Sequence, residues 1–363
     1  MRVSLTALAL GAIGTGCGAT VSHRASARVH VYDDPRITVV SPTVEEQAQI
    51  ADTKVTAHYG VDAVSGATQA LTVDAVSSAT RFSEVRQDAG LRAAHAFSAE
   101  TELSGGYNLS REPDDLVHVP SLRLTQELFE RMVRAAVGYQ LVVESIGRTG
   151  DPLFREHALG HRVDVEWTQI ATRSLTLTVL GTGTATECSA GIGCFANPYR
   201  YVGIARGAAH IALPERHPDQ RFTGAGALRL SWAFAGSSAL QAGSRWAVDS
   251  WSVAAYTADA AVVTELFDDR LLARAEARAT LQSRASFYDE RYQGSGGVLP
   301  AYRTADAELS GLRNARAQLF LDWAWGPVHI VGQLGRMWNY YPGFPALPTR
   351  HAWIAGGGLD ANF

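Results

Sequence analysis

The feature that most constrains this chain is two-residue alternation, sustained over long and heavily charged stretches. In RLLARAEARATLQ, Leu271, Ala273, Ala275, Ala277, Ala279 and Leu281 alternate with Leu272, Arg274, Glu276, Arg278, Thr280 and Gln282. HRVDVEWTQ sets Val163, Val165 and Trp167 opposite Arg162, Asp164 and Glu166, and RFTGAGALRLSWAF puts Phe222, Leu228, Leu230, Trp232 and Phe234 on one face. Successive strand side chains point to opposite sides, so period two means strands with two unlike faces. Here the polar faces carry dense Arg and Glu, while many apolar faces are thin, built of Ala and Gly. A water-excluding core made from such faces would pack well below protein density. The inverse arrangement fits: lipid against the apolar faces, water and a charge network inside. A closed barrel also satisfies every backbone group within a bilayer. The chain is therefore expected to be all-β, a transmembrane antiparallel up-and-down β-barrel.

The connections alternate as such a barrel requires. Short turns are expected near Ser98, Phe129 and Glu130, Thr172 and Arg173, Gly236, Asp268 and Asp269, and Gly326. Longer loops are expected over Glu112–Asp115, Ile146–Ala158, Gly183–Asp219, Phe287–Thr304 and Tyr341–His351, with a short turn at Val248–Ser250 as the exception. The strands from about Glu84 onward, with a rising strand around Thr53–Val64, make about 14, and a further pair within Arg28–Gln49 would make 16. The C-terminal WIAGGGLDANF places Trp353, Leu359 and Phe363 on one face and ends on Phe, resembling the terminal β-signal read by the barrel assembly machinery.

Residues 1–19 read as an export signal: Arg2, an apolar run over Val3–Ile13, then small residues. That run is too short to span a bilayer as a helix. Two readings stand, cleavage after Ala19 or lipoprotein-type processing with acylation of Cys17. Residues 20–50 are then a periplasmic segment or an extra strand pair, and 51–363 the barrel. Export favours a disulfide between Cys188 and Cys194 in TECSAGIGC. A net charge of −4 with no concentrated basic block argues against nucleic-acid binding.

One phrase is written twice: VDAVSGAT at Val61–Thr68 and VDAVSSAT at Val73–Thr80, differing only at Gly66 and Ser78. With ALPERHPDQR (Ala212–Arg221), the AVDSW turn and ASFYDERY (Ala285–Tyr292), these segments resemble an uncharacterised bacterial outer-membrane barrel family, domain of unknown function 3570, over roughly Arg28–Phe363. The resemblance implies the outer membrane of a Gram-negative bacterium, in contact with its lipid. It also implies company: a small lipoprotein, a thioredoxin-like protein and a periplasmic FMN transferase. In that context the first copy resembles an acceptor motif for covalent FMN. Thr68 would be the acceptor hydroxyl, Gly66 would allow close approach, and Asp62 would orient the segment. Thr80 is the acceptor of the imperfect second copy. The alternative is that these are small, turn-like letters of an Ala-rich barrel.

Three functional readings follow. The first is a conduit or scaffold for an envelope redox system carrying covalent FMN. The second is a passive channel or transporter for small solutes, with Arg162, Asp164, Glu166, Arg274, Glu276 and Arg278 facing the lumen. The third is a barrel-embedded hydrolase, for which no nucleophile motif stands out. His157 and His161 would share a helical face, but they stand where a loop enters a strand, so no metal site is expected there.

Overall fold

The computed structural model describes residues 21–68, 71–72, 75–76, 80–189, 194–206, 209–293, 300–344 and 347–363. The expected signal segment, Cys17 and Ser78 lie outside the described residues. Sixteen strands form a closed barrel. They are β1 (Val21–Asp33), β2 (Ile37–Ile50), β3 (Thr53–Thr68), β4 (Thr80–Ala96), β5 (Thr101–Arg111), β6 (Asp115–Leu128), β7 (Val133–Ile146) and β8 (Glu156–Thr172). The second half comprises β9 (Leu175–Cys188), β10 (Gln220–Ala235), β11 (Ser238–Asp249), β12 (Ala254–Leu266), β13 (Leu271–Gln282), β14 (Leu312–Trp325), β15 (Val328–Tyr340) and β16 (Thr349–Asn362). Each pairs antiparallel with the next. β1 closes on β16, with Arg24 opposite Asn362 and Asp33 opposite Trp353.

The strand number is 16 rather than 14 because Val21–Ile50 supplies the first two strands. Their pattern is blurred at Pro42 and at the adjacent Glu45 and Glu46. Pro42 has no N–H to give, and the β2–β3 ladder passes from Val40–Ala63 to Thr43–Gly60 without pairing the residues between. The same gap occurs at Pro120 between β6 and β7.

The expected short turns lie at the end of the barrel that holds both termini, except the one at Val248–Ser250, which is at the opposite end as expected. Two of them, at Phe129–Arg131 and Phe267–Asp269, run through three successive residues with positive φ. The other, distal end carries the long connections, although Glu112–Asp115 proves a tight link and β9 continues to Cys188 before its loop begins.

The wall is inverted relative to a water-soluble fold. Leu334, Leu359, Val165 and Leu122 are all about half exposed on the outer face. Aromatic residues band that face at both ends, as in membrane-spanning barrels. Phe97, Phe129, Phe267, Trp323, Trp325 and Phe363 lie at the terminal end; Tyr107, Tyr139, Trp246, Tyr256, Trp338 and Tyr340 lie at the distal end. At Gly226 an aromatic ring lies across the glycine: a Cβ there would meet the Trp246 indole at 2.8 Å.

The closing seam is fastened from inside. Asp360 accepts from Arg28 at 2.7 Å and from Arg24 at 3.1 Å, and its own side chain is 4% exposed. Gly358 makes room for this, since a Cβ there would meet Arg28 Cγ at 2.6 Å. Removing the carboxylate strands two guanidinium groups, so Asp360→Ala is expected to lose roughly 1–3 kcal/mol. Heat-modifiable migration checks both levels. The unboiled wild type should run apart from the boiled form, and Asp360→Ala should convert at a lower temperature. An unboiled band that does not shift would contradict the barrel itself.

Candidate functional site

The inner face is a lattice of ion pairs and hydrogen bonds between neighbouring strands. Arg162 and Thr182 both bind Asp164, at 2.8 and 2.7 Å. Glu166 accepts from Arg123 at 2.7 Å. Glu276 lies between Arg274 and Arg316, each at 2.7 Å, with Arg278 at 3.7 Å. The six charged residues read as inward-facing are thus all in pairs or networks. The sequence pattern carried no sign of Arg316 as a partner, because it comes from the next strand. Further pairs repeat the theme: Asp88 with His58 and Asn108, and Asp322 with His329.

At the distal end two features emerge. One is acidic: oxygens of Glu84, Glu112 and Asp114 lie within 4.8 Å of one another. Burial, then the charge of Glu84, pushes the Glu112 carboxyl above the usual carboxylate range. Asp114 also accepts from Tyr199 Oη, which ties this rim to the loop following β9.

The other feature is a folded knot made by the two longest loops. In the first loop, Tyr201–Arg206 and Ala209–Pro214 form a hairpin, and Tyr292–Gln293 of the second adds a parallel strand to it. Trp251, Val253, Ala285, Tyr288 and Leu309 form a buried cluster, with Phe195 and Phe287 packed on it. Arg221 bonds Asp249 at 2.6 Å and stacks 4.4 Å from the Trp251 ring. His217 packs edge-on against Trp251 and tilted on Phe287, at 5.5 and 5.4 Å between centroids. Glu215 Oε1 accepts from Thr304 Oγ1 at 2.9 Å and from the Ala305 amide at 2.5 Å, while its Oε2 lies 3.9 Å from His217 Nε2. Arg200 bonds Asp306 at 2.9 Å alongside. The Cys188–Cys194 disulfide, with its Cα atoms 5.4 Å apart, closes the root of the first loop. ALPERHPDQR, AVDSW and ASFYDERY therefore meet in one place. Their side chains cross between loops, so no periodicity along the chain could have shown it.

The doubled phrase stands on the β3–β4 hairpin. Asp62 pairs with Arg86 at 2.7 Å. In the backbone Gly66 lies opposite Phe82 and Thr68 opposite Thr80. Gly66, Thr68 and Thr80 have side-chain positions outside the described structure. The hairpin outruns its neighbours, since β2 pairs only as far as Gly66 and β5 only as far as Gln87. His157 and His161 both lie within β8, about 13 Å apart along the strand. Each has its own hydroxyl partner, Ser145 at 3.2 Å and Tyr139 at 2.7 Å. In the C-terminal strand, Trp353, Leu359 and Phe363 share the outer face, and Phe363 stacks on His23 at 5.6 Å.

A closed antiparallel barrel with apolar wall, aromatic bands and charged interior defines an outer-membrane-type β-barrel. Residues 154–325, a little under half of the chain, match the family model described as "Protein of unknown function (DUF3570)", the family that the quoted segments resemble. No curated protein matches the sequence. Among solved structures, a bacterial polysaccharide outer membrane secretin is similar with a TM-score of 0.55 at 9% identity, covering 94% of this chain and 98% of that one. An outer membrane protein of Vibrio cholerae, OmpT lacking loop L8, gives 0.47 at 8% identity, covering 95% and 99%. The ferric enterobactin receptor PfeA gives 0.45 at 10% identity, covering 89% of this chain and 54% of the receptor, so this chain spans about half of its length.

Burial shifts two ionisable groups of the knot in opposite directions. It pushes the His217 imidazole down to about 4 and raises the Glu215 carboxyl above its ordinary range. A histidine buried neutral binds fewer protons folded than unfolded. The knot should therefore weaken as pH falls from about 6.5 toward 4, with Glu215 opposing the trend. Amide exchange over Glu215–Arg221, corrected for the intrinsic rate, should show protection falling severalfold between pH 7 and pH 5. His217→Phe should flatten that dependence and Glu215→Gln should steepen it. An unchanged slope in His217→Phe would remove the histidine from the account.

Proposed function

We propose that the protein lies in the outer membrane of a Gram-negative bacterium, termini in the periplasm, and acts as a channel for small polar solutes. The observation that carries this reading is the size of the barrel together with its lining. Closed barrels of about 16 strands are wide enough to hold an aqueous lumen, and this one lines its interior with paired charges rather than a packed apolar core. Charges fixed on the inner wall bias which ions enter. The acidic group at Glu84, Glu112 and Asp114 stands at the distal mouth, so cations should be favoured. In planar bilayers, folded protein should give discrete conductance steps with a cation preference. The triple variant Glu84→Gln, Glu112→Gln, Asp114→Asn should reduce that preference at low salt, where screening is weak. Folded protein that never conducts would refute the channel.

The redox reading rests on a separate observation. The register carries the first copy of the doubled phrase to the end of a hairpin that extends past the strands on either side. Because that end lies opposite the periplasmic termini, a periplasmic FMN transferase would have to modify the segment before insertion, with the lipoprotein and thioredoxin-like protein as its redox company. Co-expression with such a transferase should add one FMN to the intact mass and give in-gel fluorescence that Thr68→Val abolishes, leaving Thr80 unlabelled. Fluorescence that persists in Thr68→Val, Thr80→Val would exclude both hydroxyls.

A further inference from the structure

We infer that the outer wall over β11–β16, at its distal end, is a binding site for a phosphorylated glycolipid of the outer leaflet, lipid A, with Arg313 and Arg336 as its phosphate ligands. The inference rests on the outer-membrane orientation proposed above, which places this end of the wall in the outer leaflet.

Both arginines face outward, where most of the wall carries apolar residues. On β15 the outer face reads Leu334, Arg336, Trp338, Tyr340 toward the distal end, and Leu334 is 55% exposed. Arg313 of β14 lies opposite Tyr340, its guanidinium 5.9 Å from the ring centroid. Arg336 lies opposite Trp353 of β16, its guanidinium 4.4 Å from that ring. Among the described residues neither makes an ion pair. The same-face neighbours at these levels are Ala315 and Ala317 on β14 and His351 on β16. The nearest outward acid in the register is Asp33 on β1, beyond Trp353, and it accepts from Thr38 at 2.6 Å.

An arginine on the lipid face is costly at the bilayer midplane and nearly free at the headgroup level. Two such residues without acidic partners, each beside an aromatic ring within the distal band, are placed for headgroup anions. The guanidinium fork matches a phosphate with two parallel hydrogen bonds while its other face stays on the ring.

Beside Arg313 the wall is concave. A groove of ≈ 570 Å³ runs across β11–β14, lined by Trp246, Tyr256 and Leu281 together with Arg313. Those three side chains are at least half exposed, at 50, 50 and 56%. A cation at the lip of an apolar groove that faces lipid selects a ligand with a phosphate joined to acyl chains. Two cations at different heights select one with two phosphates, which distinguishes lipid A from a glycerophospholipid with a single phosphate.

The test uses the full chain purified in a maltoside detergent and confirmed as folded by heat-modifiable migration. Native mass spectrometry would then follow titration with bis-phosphorylated lipid A, its dephosphorylated form, or phosphatidylglycerol. Bis-phosphorylated lipid A should be retained, and Arg313→Gln with Arg336→Gln should weaken retention about tenfold, the scale of one to two charge-assisted hydrogen bonds. The double Lys variant should fall between the two. Equal retention of the dephosphorylated form, equal retention of phosphatidylglycerol, or a double Gln variant that binds as wild type would each overturn the site. A wild-type band that does not shift on heating would instead condemn the barrel and membrane reading on which the inference rests.

Discussion

Closure of the backbone ladder is the condition on which everything else depends. A strand edge left open in hydrocarbon exposes N–H and C=O groups with no water to satisfy them. Pairing β1 with β16 removes the last edge. Once closed, the wall has only an outer face for lipid and an inner face for water, and every residue is sorted by parity alone. Charges that alternate with Ala and Leu must turn inward, where each strand offers them to the next. The seam shows the result in miniature. Asp360 holds two arginines of β1 across the join, and glycine at 358 leaves them the space. Breaking such a pair costs more than forming it gains, because an unpartnered charge remains. The ion pairs therefore specify register at least as much as they add stability, which matters where the two chain ends must find each other.

What could be read from sequence was what parity controls. The strands at Arg162–Trp167 and Leu271–Gln282 alternate cleanly because one face meets lipid and the other water, with nothing between. The terminal-end turns were legible at Asp268–Asp269 and Gly326, since Asp, Asn and Gly tolerate positive φ. The turn expected near Phe129 and Glu130 adopts the same left-handed path, without an Asp, Asn or Gly in it. The first strand pair was hard to see because Pro42 interrupts one ladder while Glu46, on the outer face, pairs with His23 at 3.5 Å. Parity stays intact there, but the letters no longer advertise it. Contacts in the knot were beyond reach for a different reason. Glu215 and Thr304 are 89 residues apart, and loops have no period from which such a meeting can be inferred.

The span of the family domain separates these features. Residues 154–325 contain the knot, the Arg274–Glu276–Arg316 network and the disulfide. The doubled phrase lies outside it, as do β15, β16 and the closing seam. A flavin address at Asp62–Thr68 therefore draws nothing from the family match and stands on its own letters and on the projecting hairpin. The channel reading is not divided in this way, because a lumen exists only when all sixteen strands have closed.

In a molecule built inside-out, departures from inversion carry the most information, and the clearest among the described residues lie toward the distal end. The knot buries Trp251, Tyr288 and Ile204 as a water-soluble domain would. It is thus held by hydrophobic burial in water, a force that the lipid-facing wall cannot use. For that reason its stability should respond to the charge of one buried imidazole, whereas the wall, held by a closed ladder, should not. The outward arginines are the complementary departure, charge where parity calls for apolar letters. A cost of that kind is small only at the headgroup level, so the same two residues that break the pattern also mark how far the hydrocarbon extends.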